Sequence, residues 1–200
     1  MDSLKDSGYR MPSEKDATSI FEKATGKPVA KITRLPTGSQ HYVYDVSTNN
    51  DQSLIIRIGT EESRGHFAGS IYWHEILSNL GIPLPEFFYY EVEQKNYEFQ
   101  FIIMEKLPGI DLGDVYAQLS AMQKKQLALD ISTIQKKVGT LQQGFGFGYA
   151  RSYEDSSLKS SWLGLIDDQL QRTKSRIIQA GIFQLNYFNQ VEDLVIDHRN

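Results

Sequence analysis

Three features of the sequence could do chemistry, and they fall in a fixed order. The first is Thr37-Gly38-Ser39-Gln40, a small, polar run after Pro36. Small residues let backbone amides approach a phosphate closely, although most such runs are only turns. The second is Arg57, a lone cation in the apolar stretch Leu54-Ile55-Ile56-Arg57-Ile58. There it either snorkels at a sheet edge or needs an anion, a carboxylate or a phosphate. Glu75 follows on a helical stretch and is the candidate carboxylate; its plain alternative is a solvated helix acid. A cation held by such a pair can grip the α- and β-phosphates of a nucleotide. The third is Phe101-Ile102-Ile103-Met104-Glu105-Lys106-Leu107-Pro108-Gly109, an apolar strand that runs into a polar pair and a Pro-Gly break. Backbone groups at such an exit have left the strand ladder and can hydrogen-bond a flat base.

The elements that must position these residues follow from pattern. Ser13 with Asp16 three residues on is a helix start, Ala17, Ile20, Phe21 and Ala24 make one apolar face, and Gly26 is the stop. Residues 29–35 and 42–47 are rich in β-branched and aromatic side chains and form a hairpin around the small turn. Residues 54–58 add a third antiparallel strand. Residues 59–69 read as a polar loop and residues 71–80 as a helix, which Pro83 and Pro85 cannot continue. Residues 87–92 and 97–104 are a fourth and a fifth strand. Beyond Gly109 the pattern turns helical. Leu127, Ile131, Ile134, Val138 and Leu141 mark a buried stripe on a helix within residues 120–143. A second amphipathic helix covers 160–180, and a third is expected over 183–195. Strands followed by helices argue for two lobes rather than a parallel sheet.

Composition narrows the classes. At 200 residues the chain suits one domain, or one and a half at most, and has no internal repeat. A net charge of −4 argues against a general affinity for nucleic acid or anionic lipid. The apolar run at 101–104 is strand-sized, so no membrane span is expected, and residues 1–6 lead into no secretory signal. The absence of cysteine excludes a disulfide scaffold and thiolate metal sites and fits a cytoplasmic protein. The glycines of residues 144–148 follow a helix and lack dinucleotide-loop spacing, so they read as a loop. His41, His66, His74 and His198 are scattered singly, without metal-ligand spacing. The pairs Lys124-Lys125 and Lys136-Lys137 are the wet face of a helix.

The order of glycine/serine hairpin, strand cation, helix glutamate and Ile-Met-Glu-Lys-Leu-Pro-Gly hinge resembles the N-terminal half of an aminoglycoside phosphotransferase or choline kinase, small-molecule relatives of the protein kinases. Ile82-Pro83-Leu84-Pro85 and the glycine-aromatic loop at 144–149 are similar to that family as well. The resemblance implies an α+β, protein-kinase-like fold. Its nucleotide-binding lobe, 13–106, holds a five-stranded antiparallel sheet plus helix, and 107–200 form the hinge and an incomplete helical lobe. It implies that Thr37, Gly38, Ser39 and Gln40 cover the phosphates, that Arg57 takes the place of the usual strand lysine, and that Glu75 is its partner. Met104 would be the gatekeeper, and the Glu105 carbonyl and Leu107 amide would read the base edge. Ile32, Val46 and Ile55 would wall the purine slot.

The implied activity is transfer of the γ-phosphate of ATP or GTP, with Mg²⁺, to a hydroxyl of a small molecule. The departure is equally plain. No His-x-Asp segment, Asp-Phe-Gly or Asp-x-Asp occurs. No residue of this chain is therefore assigned to the chemical step, and the metal ligands are expected beyond Asn200. The alternative is a catalytically inactive nucleotide-binding or partner-completed module, with self-association through uncovered helix faces.

Overall fold

The computed structural model describes residues 10–36, 41–49, 53–60, 64–181, 186–187, 189–190 and 193–194. The chain divides into two compact units, Met1–Gln142 and Gln143–Asn200.

The first unit opens with α1, Glu14–Thr25. Local chemistry fixes both of its ends. The Ser13 hydroxyl accepts from the Asp16 amide while the Asp16 carboxylate takes the Ser13 amide, a reciprocal capping box. Gly26 closes the helix at φ 69°, and its N–H donates to the Glu22 carbonyl. The buried face is Ala17, Ile20 and Phe21, as the spacing requires.

Five strands follow: β1 Val29–Leu35, β2 Tyr42–Thr48, β3 Ser53–Gly59, β4 Phe87–Glu91 and β5 Gln100–Glu105. They form one antiparallel sheet in the order β1-β2-β3-β5-β4, which places β3 in the centre. Side chains alternate across a strand, so the sheet has two distinct faces. On one, Tyr44, Val46, Leu54, Ile56, Ile58, Phe101 and Ile103 pack against Ala17, Ile20 and Phe21 of α1. Each fully buried Ile or Phe contributes about 1.5–3 kcal/mol, and this cluster is the core of the unit. The other face carries Leu35, Val43, Arg57 and Ile102 in one cross-strand row and Ile55 and Met104 in the next.

α2 spans Arg64–Asn79, seven residues earlier than the expected start at 71. Its first turns hold Gly65 and Gly69, which weaken a helix in isolation. Packing supplies what propensity lacks: Phe67 is fully buried, and α2 packs against β5. β5 begins at Gln100 rather than 97. Residues 95–99 bend after Gln94, at φ 52°, and Tyr97 instead packs edge-on against Phe101 with the Lys23 amine 4.4 Å above its ring.

A one-turn helix not anticipated from the pattern, α3 at Leu112–Val115, is capped by Asp111 and leads through a 3-10 turn into α4, Ala121–Val138. Ser120 caps α4 through a second capping box with Gln123. The expected buried stripe is corrected here: no residue of α4 is buried, and Ile131 and Val138 are exposed. Periodicity identifies an apolar face, but full burial requires a complete partner surface, and Leu127, Ile134 and Leu141 are only half-buried.

In the second unit, Phe147 and Lys159 exchange backbone hydrogen bonds of 2.8 and 2.9 Å, and α5 spans Trp162–Ala180. A side chain on Gly146 would meet Leu158 Cβ and the Lys159 carbonyl at 2.7 Å, so this crossing requires glycine. The glycine-aromatic segment is accordingly a loop. Residues 186–187, 189–190 and 193–194 are helical; the rest of the third expected helix lies outside the described residues. No helix among the described residues is long and apolar enough to cross a membrane.

Candidate functional site

Arg57 stands at the middle of β3, on the face away from α1. It is half-buried, and its guanidinium lies 5.6 Å from the centre of the Phe67 ring. Burial lowers its pKa from the ordinary arginine value. No carboxylate among the described residues pairs with it. Glu75 lies further along α2, exposed to solvent, and the structure does not bring the two together. Arg57 is thus a partly desolvated cation with donors to spare for an anion.

The apolar surroundings of Arg57 differ from expectation at two positions. Ile55, two residues away, shares its face. Ile32 and Val46 do not: they pair with each other across β1 and β2 and belong to the cluster under α1. Leu35 and Val43 take the corresponding places beside Arg57. The residue types were compatible with either face; strand register decides it.

The strand exit is organised by two contacts. The Glu105 amide donates to the Glu86 carbonyl at 2.8 Å, and the Glu105 carboxylate accepts from the Glu86 amide at 3.2 Å. Lys106 Nζ reaches Asp45 Oδ2 at 2.6 Å, and the Ser53 hydroxyl donates to Asp45 Oδ1 at 2.7 Å. Burial raises the Asp45 carboxyl, but hydrogen bonds from Lys106 and Ser53 outweigh it and hold the group below the usual carboxylate range. Sequence reasoning missed this residue. The available signal was an acid inside the apolar run Tyr42-Val43-Tyr44-Asp45-Val46. Met104, half-buried, pairs with Ile55 on one side and Phe87 on the other. Leu107 is 55% exposed, and its amide has no hydrogen-bond partner among the described residues.

Thr37, Gly38, Ser39 and Gln40 lie outside the described residues. His41, the next residue, packs edge-on against Phe67 at 4.8 Å and lies 6.3 Å from His66. The chain therefore enters β2 beside the aromatic ring that also faces Arg57. His74 is structural: it stacks on Phe87 at 3.9 Å, with Nε2 2.7 Å from the Pro85 carbonyl. Among the described residues no group of three or more acids or histidines could hold a metal ion, so no metal site is placed and no step is derived through one.

A central antiparallel sheet with one helix on each side, a cation on the face away from α1 and a broken strand exit define an α+β fold of the kinase-like aminoglycoside phosphotransferase type. Solved structures that share it include two aminoglycoside phosphotransferases. One is an aminoglycoside 2'-phosphotransferase-IIIa point mutant in complex with GDP, with a TM-score of 0.54 and 16% identity over 65% of this chain and 42% of that one. The other is APH(2")-IIIa in complex with GDP and kanamycin, with a TM-score of 0.54 and 15% identity over 82% of this chain and 58% of that one. The model of the phosphotransferase enzyme family matches residues 31–155, more than half of the sequence, and the chain belongs to that family. It spans about half the length of the solved structures it matches. No curated protein matches it.

Proposed function

We propose that the complete protein transfers the γ-phosphate of ATP or GTP to a hydroxyl of a small molecule, and that this chain supplies the nucleotide-binding lobe, 13–106, with the hinge and first helices of the acceptor lobe, 107–200. The observation that carries the reading is Arg57: a partly desolvated guanidinium with no carboxylate partner among the described residues, on an apolar sheet face that ends at an amide likewise unpaired among them. A phosphate chain answers the first need and a base edge the second. Arg57 holds the α- and β-phosphates, the turn at 37–40 covers them, and Ile55, Val43 and Ile102 flank the base, with Met104 at its edge. The Glu105 carbonyl and the Leu107 amide read that base. Family membership and fold support the reading, and the GDP bound in both similar structures is consistent with a nucleotide donor. The kanamycin in one of them fits a polyhydroxylated acceptor. Because no His-x-Asp segment occurs, none of the present residues performs the chemical step.

Calorimetric titration of the 200-residue chain with ADP, GDP and their nucleosides tests this. Arg57→Ala is expected to weaken diphosphate binding by at least about tenfold, roughly 1.4 kcal/mol, and to leave nucleoside binding unchanged. Equal affinity of Arg57→Ala and the parent for diphosphates overturns the reading.

A second reading, a module completed by a partner chain, draws on α4, none of whose residues is buried.

A further inference from the structure

Gln100 opens β5 and is fully buried, yet neither its side-chain oxygen nor its nitrogen has a hydrogen-bond partner among the described residues. Buried amides in native proteins are almost always paired, so an unmet one marks a bond made with something that arrives or moves. Its position indicates what that is. In the β3–β5 register Gln100 stands opposite Gly59, and Arg57 stands opposite Ile102. Phe99, Phe101 and Ile103 join the cluster under α1, so alternation turns Gln100 and Ile102 to the face of Arg57. Gln100 and Arg57 are therefore diagonal cross-strand neighbours. Such neighbours lie about 7–8 Å apart at the backbone, within reach of long side chains. Gly59, the fourth corner of that square, has no side chain to come between them. On this one face stand, among the described residues, a guanidinium without an acceptor and an amide without a donor.

We propose that Gln100 is the positioning residue of Arg57: its side-chain oxygen accepts a guanidinium N–H and aims the cation at the phosphates of the bound nucleotide. The inference deepens the nucleotide-binding reading above and rests on it. A neutral amide steers the guanidinium without cancelling its charge, as a carboxylate would in part. The exposed position of Glu75 leaves that role open.

The test uses the 200-residue chain with Gln100→Leu, Gln100→Met and Gln100→Glu. Two quantities are read: solvent exchange of the Arg57 Nε–H by NMR, and affinity for GDP and ADP against guanosine and adenosine. In the apolar variants Arg57 Nε–H exchange is expected to accelerate by about tenfold, with diphosphate affinity falling about five- to thirtyfold and nucleoside affinity unchanged, the size of one lost charge-assisted bond. Gln100→Glu, which keeps the acceptor, restores slow Arg57 Nε–H exchange, while its added negative charge keeps diphosphate affinity low. Unchanged Arg57 exchange in a folded apolar variant overturns the proposal, and so does an equal loss for diphosphates and nucleosides, which is the signature of lost packing. If the parent chain binds no nucleotide, the nucleotide reading fails, while the exchange comparison still decides whether Gln100 holds Arg57. Should the Leu variant not fold, the unbranched Met variant carries the same comparison.

Discussion

A guanidinium and a carboxylate in this chain show opposite ways of holding a charge. Arg57 is partly stripped of water and has no ion partner among the described residues, so its charge is available to an incoming anion. Asp155, in the second unit, is surrounded by donors: the Ser157 hydroxyl at 2.6 Å and the amides of Arg151 and Ser157 at 2.9 Å each. These hydrogen bonds, that of the Ser157 hydroxyl foremost, bring its pKa down to about 2. The folded value lies below the unfolded one, about 3.9. The stabilisation is therefore fully present above pH 4 and is lost as pH falls toward 2. Carboxyl-carbon NMR is expected to show Asp155 titrating with a midpoint of about 2; a midpoint near the free-aspartate value refutes the donor cage. Residues of this kind are unevenly legible in sequence. Arg57 stood out because a lone cation in an apolar strand is conspicuous. Gln100 did not, because a polar residue at a strand's start looks like the end of a turn. Ile32 and Val46 were assigned to the wrong face because alternation gives two faces but only pairing says which one a helix covers.

Elements were legible where their signals are local. α1 has a capping serine, a reciprocating acid and a left-handed glycine within its own sequence, and the structure has each of them. Ser13→Ala is expected to cost about 1 kcal/mol and, for a chain of this size, to lower the melting temperature by about 2–4 °C; a thermal denaturation curve superimposing on the parent's refutes the cap's contribution. The first turns of α2 were illegible for the opposite reason. Gly65 and Gly69 argue against a helix, and only the burial of Phe67 against the sheet overrides them, a contact between residues distant in sequence.

At the scale of the molecule, burial is unevenly distributed. Every buried hydrophobic residue among those described lies between Ala17 and Ile103. Beyond them Met122 is 81% exposed, Leu129 53%, and Phe145 and Tyr149 85% each, which is more apolar surface than a solitary chain usually presents. Met122 and Leu129 are seven residues apart and share a helix face. Sedimentation at increasing concentration is expected to show self-association of this chain, reduced in the Met122→Lys, Leu129→Lys double variant. A strictly monomeric parent would count against the partner-completed reading. The pattern of these helices was readable from the sequence. What covers them was not, because periodicity carries no information about a neighbour.

The Leu107 amide has a consequence of its own. A backbone N–H on an exposed residue, with no hydrogen-bond partner among the described residues, is expected to trade its proton for deuterium at nearly the rate of an unstructured peptide. A few residues earlier, in β5, the amides are paired in the sheet and are expected to exchange slowly. A bound base would slow exchange at Leu107 selectively. A single peptide fragment of the hinge, weighed with and without each nucleotide, would thus report occupancy and show which base the site prefers, with no enzymatic turnover required.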